Sequence, residues 1–514
     1  MLNLSMVLED SARTHPHRVA VVLGEQRLTY AELEAAANQV ANLLVERGVR
    51  PGDAVALSCP NLPYFPILYY GILKVGAVVV PLNVLLKGRE VAYHLNDSGA
   101  RAYLCFEGAD DLPMASEGHA GFRAAPGCEL FMVITADPAA ASPIEGAETL
   151  ADALRGVGVR FDPVQLPETD PAVILYTSGT SGQPKGAELS HSNLLFGAIA
   201  TVRAIDATPA TDTHLAMLPL FHSFGASVHM NAAFATAATV VLMPRFDGRE
   251  ALVLLEKHHV TFLAAVPTMY WAMVNAVSGD VDVTRIREQL RMAVAGGSGM
   301  PVTVAEAFHE RFGLPVLVAY GLTETSPGVM SQRAEAPRLG SVGKPIWGVE
   351  VKLIDERGAT IDAPDQVGEI AIRGHGIMRG YHNRPEATAE AMRDGWFVSG
   401  DLGRRDKDGY YFVVDRVKDL IIRGGFNVYP REVEEVLMSH GDVSLAAVIG
   451  VPHPSHGEEI KAFVILRPGA TVTADNLVAW SRTQMAAYKY PRIVDIVESL
   501  PMTATGKPLK RALS

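Results

Sequence analysis

Apolar and polar positions follow two rhythms along the chain. Residues 28–30 read as a strand running into a helix capped by Thr29, which continues through Leu44 and stops at Gly48 with Arg47 in its last turn. Residues 53–57 and 77–81 read as buried strands on either side of a helix over 67–75. Short all-apolar strands between helices mark a largely parallel sheet covered on both faces. The rhythm returns at 173–176, 239–243, 262–266 and 292–295. It predicts two α/β halves within about residues 1–339, although the sequence carries no repeat.

From residue 340 the texture changes. Residues 349–354, 368–372 and 410–414 read as strands separated by Gly and Asp turns, with no long helix between most of them. They predict a small antiparallel or β-barrel-like unit over about 340–415. Beyond Lys418 a helix over 430–440, strands at 446–451 and 462–466, and a helix over 474–484 predict a small α+β domain. The boundary falls near Lys418 and divides 1–417 from 418–514. Charge divides there too: residues 416–514 hold 12 Lys+Arg and 10 Asp+Glu, a net +2 in a chain of net −12.

Composition narrows the class. A 514-residue chain fits about three globular units. With 48% hydrophobic and 20% charged residues it is a folded chain, and its acidic balance argues against a globally basic nucleic-acid binder. Three cysteines (Cys59, Cys105, Cys128) without a CxxC pair supply neither a disulfide framework nor a Cys-based zinc site. The N-terminus carries Glu9 and Asp10 and no long apolar stretch. The most apolar segment, 231–243, falls short of the ~20 residues that span a bilayer. The expectation is a soluble cytoplasmic protein with no integral membrane segment and no nucleic-acid partner; whether it forms a homodimer is left open.

The strongest local signal follows the apolar strand at 173–175. Thr177, Ser178, Gly179, Thr180, Ser181 and Gly182, then Lys185, put hydroxyls, glycines and a lysine into one loop whose donors can wrap a polyphosphate. It is not a Walker A loop, because Pro follows both Gly343-Lys344 and Gly506-Lys507. A flexible surface linker is the competing reading, and it does not account for this hydroxyl density behind a buried strand. GxSxG, HExxH and GxGxxG patterns are absent, so a serine hydrolase, a zincin or a Rossmann dehydrogenase has no local support.

At this point the chain resembles the adenylate-forming enzymes, which include acyl-CoA synthetases, aryl-CoA ligases, firefly luciferase and peptide-synthetase adenylation domains. The loop is similar to their phosphate loop, with Ser181 where Thr is more usual. Further motifs follow in family order: His222 to Gly225, Gly296-Gly297-Ser298, Tyr320 to Glu324, residues 368–374, Asp401 after Ser399-Gly400, Arg416 with Lys418, Gly424-Gly425, and Lys507. The resemblance covers essentially the whole chain.

It implies the following roles. The loop Thr177–Gly182 with Lys185, together with Gly296, Gly297, Ser298, Tyr320, Gly321, Thr323, Asp401 and Arg416, would bind the nucleotide. Tyr320 would face adenine, Thr323 the α-phosphate, and Asp401 the ribose hydroxyls, with Arg416 beside them. Glu324 would ligate Mg²⁺; without its context it would read as a carboxylate at a helix N-terminus. Lys507, in isolation one residue of a basic tail, would bridge the substrate carboxylate and the α-phosphate, offsetting the repulsion of two anions. Thr177, His222, Glu324 and Lys507 form the implied catalytic set, with His222 positioning substrate. Lys418 would be the hinge about which the C-terminal domain swings. Gly424 and Gly425 would leave room for CoA.

The implied activity is a carboxylic acid–CoA ligase: ATP and the acid give acyl-AMP and pyrophosphate, and CoA then displaces AMP. An acyl pocket is expected from His222, Phe224, Gly225, Ser227, Val266, Met269, Gly297 and Gly321. No Asp lies between Leu218 and Met230 to hold an amino group, and all four tryptophans lie elsewhere. A medium- or long-chain fatty acid is therefore favoured, with an aryl acid as the alternative. A ligase loading a carrier protein, a luciferase-type oxygenase and a non-catalytic nucleotide or acyl-CoA sensor remain as rivals.

Overall fold

The computed structural model describes residues 1–177, 183–279, 281–503 and 508–513. Strands and helices alternate where the apolar rhythm places them. Thr29 caps the helix Tyr30–Glu46: its hydroxyl accepts from Glu32 N, and the Glu32 carboxylate accepts from Thr29 N. Gly48 follows the helix at φ +83°, a conformation that suits glycine.

Two largely parallel sheets form the frame. One has eight strands and is centred on Pro171–Thr177, Val78–Pro81, Ala54–Ser58 and Ala100–Phe106; the other has nine, centred on Val316–Gly321, Met292–Ala295, Phe262–Ala265 and Thr213–Ala216. Ala54–Ser58, Val78–Pro81, Phe262–Ala265 and Met292–Ala295 are buried at every position, as strands covered on both faces must be. The halves are not sequential. Val19–Leu23 lies parallel to Thr239–Leu242, so the N-terminal hairpin belongs to the second sheet. Tyr30 and Tyr70 meet Phe234 at ring-centroid distances of 5.8 and 5.9 Å, tying the early helices to the second half.

The unit after residue 340 is an antiparallel sheet of six strands, in the order Thr360–Ile361, Val349–Ile354, Gly368–Gly374, Trp396–Arg405 and Met392–Arg393, with Tyr411–Arg416 also on Trp396–Arg405. Its described strands pair as an open sheet, so of the two forms expected the antiparallel sheet is found and barrel closure is not. The two-residue strand Gly380–Tyr381 leaves this region and pairs with Lys185–Ser190 of the eight-stranded sheet. A fourth, five-stranded sheet with its own apolar core (Ile421, Val433, Val448, Ile460, Leu477) forms the C-terminal α+β unit. Among the described residues no helix is long and apolar enough to cross a membrane.

Candidate active site

Parallel strands in open α/β sheets gather ligands at their carboxyl ends. Val316–Gly321 ends in such a place, and its last residues turn back on Gly328–Ser331. Gly321 is required by close approach: a Cβ there would lie 1.7 Å from Pro327 O. The Thr325 hydroxyl accepts from Leu322 N at 3.0 Å and donates to Pro327 O at 2.7 Å, fixing the short turn Thr323–Thr325.

Three residues far apart in sequence converge at this turn. The Tyr320 hydroxyl donates to Asp401 Oδ2 at 2.6 Å, and Arg416 Nε lies 3.0 Å from Asp401 Oδ1. Asp401 and Arg416 face each other across paired strands, and Gly400, at φ +73°, turns the chain just before Asp401. Burial, and then the Asp401 charge, hold the Tyr320 phenol well above its ordinary pKa, so it stays a donor. The same carboxylate raises the Arg416 pKa. Asp401 is buried while Arg416 is half exposed, which makes a polar, charge-balanced floor at the strand ends.

Glu324 is 8% exposed and accepts from the Tyr381 hydroxyl at 3.0 Å. Burial and the Glu324 charge push the Tyr381 phenol upward. The Tyr381 ring also carries Lys185 Nζ 5.2 Å from its centroid, so Lys185, Tyr381 and Glu324 form one cluster. Tyr381 was not singled out from the sequence, because it is half of a two-residue strand with no periodicity of its own. Thr177 pairs in register with Lys185 and its hydroxyl donates to Lys185 O at 3.4 Å. Around this hairpin Tyr93 donates to Pro184 O at 2.7 Å, Tyr176 to Asp97 at 2.9 Å, and Glu188 binds Arg379 and His382 at 2.8 and 2.7 Å. The His382 hydrogen bond lowers the Glu188 pKa. Ser178, Gly179, Thr180, Ser181 and Gly182 lie outside the described residues.

His222, half-buried, caps the turn Ser223–Gly225, accepting from Phe224 N at 3.3 Å. The Ser223 and Thr323 hydroxyls are 3.3 Å apart, so this turn reaches the Tyr320 floor. Phe224 lies against Gly296, where a Cβ would come within 3.0 Å of its ring. Gly296 N donates to Ala265 O at 3.2 Å; Gly297, at φ +83°, is exposed and leads to Ser298. Val266 caps the helix Pro267–Ala276, and it and Met269 are buried beside these strand ends.

Gly225, Ser227 and Gly321, expected in the acyl pocket, each have close neighbours. A Cβ on Gly225 would sit 2.2 Å from Pro219 O, so this glycine lets two backbone segments touch and leaves no open room. Ser227 shares a small internal space with Tyr69, Val173 and Leu194, at the junction of the two halves. For Gly321 the missing side chain likewise accommodates Pro327.

In the C-terminal unit Lys418 lies in the exposed turn Val417–Asp419, directly after Arg416. Gly424 and Gly425 have φ +58° and +82° with open space around them. Arg431 joins this unit to the strands before it. Its guanidinium donates to Val413 O at 2.9 Å, its backbone N–H donates to Asp415 at 3.0 Å, and its side chain packs on Gly299. Lys507 lies outside the described residues.

Known proteins resemble this chain over nearly its whole length. Residues 8–382 match the model of the AMP-binding enzyme family, and 432–507 that of the AMP-binding enzyme C-terminal domain. The chain is 38% identical over 506 residues to a feruloyl-CoA synthase of Amycolatopsis sp, covering 97% of this chain and 96% of the relative. It is 32% identical to a long-chain-fatty-acid–CoA ligase of Bacillus subtilis (strain 168), covering 99% and 94%. The crystal structure of ATP-bound MatB from Rhodopseudomonas palustris superposes with a TM-score of 0.90 at 31% identity, covering 100% and 98%. The chain belongs to the AMP-binding enzyme family, within the adenylate-forming superfamily of AMP-forming acid–thiol ligases.

Proposed function

We propose that this enzyme couples ATP cleavage to the joining of a carboxylic acid with CoA, through an acyl-AMP intermediate. The observation that carries this reading is the convergence of Tyr320, Asp401 and Arg416 with Glu324, Tyr381 and Lys185 at the carboxyl ends of the strands. Asp401 accepts from the ribose hydroxyls, Tyr320 stacks on adenine, and Gly296, Gly297 and Ser298 let backbone approach the base. Thr323 donates to the α-phosphate, and the loop Thr177–Gly182 with Lys185 holds the leaving phosphates.

The acid's carboxylate oxygen attacks the α-phosphorus and the bond to pyrophosphate breaks. Lys507 sits between the two anions and stabilises the charge that develops. The C-terminal unit, 418–514, then turns about Lys418, and the CoA thiol, passing Gly424-Gly425, attacks the acyl carbonyl and displaces AMP. No enzyme cysteine enters; Cys59, Cys105 and Cys128 are all buried.

Among the described residues no three His, Cys, Asp or Glu side chains cluster as a metal cage. The buried Glu324 carboxylate is a hard oxygen donor that fits Mg²⁺ taking its other ligands from phosphates and water. Bound there, the ion would neutralise phosphate charge.

The acid is an aryl or a fatty acid. His222 and Phe224 position its carboxyl end, with Val266, Met269 and Gly297 around it. Both readings have support in the relatives, so a panel of straight-chain, aryl and amino acids decides between them. Thioester formation and AMP release that require ATP, CoA and one acid class would establish the reading. Transfer of the acyl group to a carrier protein and not to CoA would replace the acceptor, and no acid-dependent turnover would leave a nucleotide sensor.

A further inference from the structure

The helix Gly88–Ser98 carries Tyr93 and Asp97 four positions apart, on one face. Both reach the paired strands Pro171–Thr177 and Lys185–Ser190. Tyr93 donates to Pro184 O at 2.7 Å, next to Lys185. Asp97 Oδ2 accepts from the Tyr176 hydroxyl at 2.9 Å, next to Thr177. The Tyr176 ring also meets His94, with 4.4 Å between centroids. One helix thus grips both strands beside Thr177 and Lys185.

Asp97 is an unusual choice for its place. It lies in the last turn of its helix, ahead of Gly99 at φ +62°, where the macrodipole disfavours an anion. Its side chain is only 9% exposed, and a buried carboxylate is costly unless it is paired. Two partners offset that cost. Oδ2 takes the Tyr176 hydroxyl, and Oδ1 takes the Arg384 guanidinium from 287 residues farther along the chain. Burial, and then the Asp97 charge, hold the Tyr176 phenol above its ordinary pKa, so it stays a donor. The same charge raises the Arg384 pKa.

Arg384 carries the contact on to the candidate site. Its backbone N–H donates to Tyr381 O at 3.0 Å. The Thr388 hydroxyl accepts from Tyr381 N and donates to Arg384 O, each at 2.9 Å, which adds a second link. Tyr381 in turn donates to Glu324 and holds Lys185 over its ring. Asp97 is therefore joined to the Lys185, Tyr381 and Glu324 cluster by two routes. One runs through Tyr176 and the strand pair, the other through Arg384 and the segment 381–384.

We propose that Asp97 is a positioning residue for adenylation, holding Lys185, Tyr381 and Glu324 against the phosphates of ATP through Tyr176 and Arg384. The inference rests on the acid–CoA ligase reading and extends it to a helix outside the site. It makes a specific chemical demand. Pyrophosphate leaves in the first half-reaction, so groups placed around it serve acyl-AMP formation and not the later attack of the CoA thiol.

The test measures the two half-reactions separately. Asp97→Ala should cut acid-dependent exchange of pyrophosphate into ATP by about 10- to 100-fold, the scale of loss from about 1 Å of misplacement. The Mg²⁺ concentration that supports exchange should rise, while thioester formation from supplied acyl-AMP and CoA matches wild type. Arg384→Gln should show the same split. Asp97→Asn combined with Arg384→Gln should lose no more than the larger single loss, because the pair acts as one unit. If a thermal melt shows that Asp97→Ala does not fold, Asp97→Asn and Arg384→Gln decide; the Arg384 side chain is 41% exposed. Equal loss of both half-reactions, or wild-type exchange in a folded variant, overturns the inference and leaves Asp97 a role in the fold alone. Wild-type enzyme without acid-dependent exchange sinks the ligase reading itself, and this inference with it.

Discussion

The Tyr320 hydroxyl donates to the Asp401 carboxylate at 2.6 Å across 81 residues of chain. One residue ends a parallel strand of the nine-stranded sheet; the other follows a Gly turn in the antiparallel sheet. Their contact closes the floor on which the nucleotide is proposed to lie, and it holds Asp401 with one oxygen turned to Arg416.

Asp401→Asn should therefore raise the KM for ATP by about 10- to 100-fold, from the loss of charge-assisted hydrogen bonds of about 1.5–3 kcal/mol. The KM for CoA should stay near wild type. Steady-state kinetics in both substrates, with a thermal melt to confirm folding, checks this.

Glu324→Ala should lose most turnover, while Tyr381→Phe should lose about fivefold, the worth of one hydrogen bond of about 1 kcal/mol. The Tyr381 effect should appear in the dependence on Mg²⁺ concentration. Equal activity of wild type and Tyr381→Phe at every Mg²⁺ level would detach Tyr381 from the site.

These two residues show where the sequence was readable. Glu324 stands in a motif directly behind an apolar strand, so its position at the strand end could be read locally. Tyr381 reaches the site only because Gly380–Tyr381 crosses from the third region to pair with Lys185–Ser190, and two residues carry no period. The buried strands were legible for the same reason as Glu324: continuous apolar runs between helices. The assignment of Val19–Leu23 to the second sheet, and the seating of Arg431 on Gly299, depend on contacts between distant segments. At Gly225 and Gly321 the place of a side chain is taken by neighbouring backbone, a contact between segments that the sequence does not display.

Gly225→Ala and Gly321→Ala should accordingly destabilise the protein, since their Cβ atoms would meet carbonyl oxygens at 2.2 and 1.7 Å. Overpacking costs about 1–3 kcal/mol. Urea unfolding should show the loss in both, with Gly24→Ala, whose added Cβ meets nothing but sits at φ +59°, as the test of backbone strain alone.

Four buried histidines, His94, His191, His214 and His229, set a pH dependence of stability, each drawn down by burial. Burial pulls His191 and His229 down to about 4 and His214 to about 3. An unfolded histidine titrates near ~6.5. Below that pH the unfolded chain binds protons that the folded chain refuses. Their contribution is complete above about pH 6.5 and is lost as the pH falls towards 4 and then 3, with a slope of up to about 1.4 kcal/mol per pH unit for each proton. Urea midpoints between pH 7 and 4.5 should fall, and less steeply in His191→Asn. Identical slopes would exclude His191 from the effect.

Lys507→Ala should stop acyl-AMP formation but spare thioester formation from supplied acyl-AMP. Lys418→Pro should do the reverse, because proline fixes φ near about −65° in the turn about which the rotation is proposed. Equal loss of both half-reactions in each variant would contradict a two-arrangement mechanism.

The most direct test of adenylation is exchange of labelled pyrophosphate into ATP in the absence of CoA. The account predicts exchange that requires an acid and is lost in Asp401→Ala, with AMP and an acyl-CoA thioester appearing only when CoA is added. Exchange without any acid, or AMP release that needs CoA before any exchange is seen, would contradict formation of an acyl-AMP at this site.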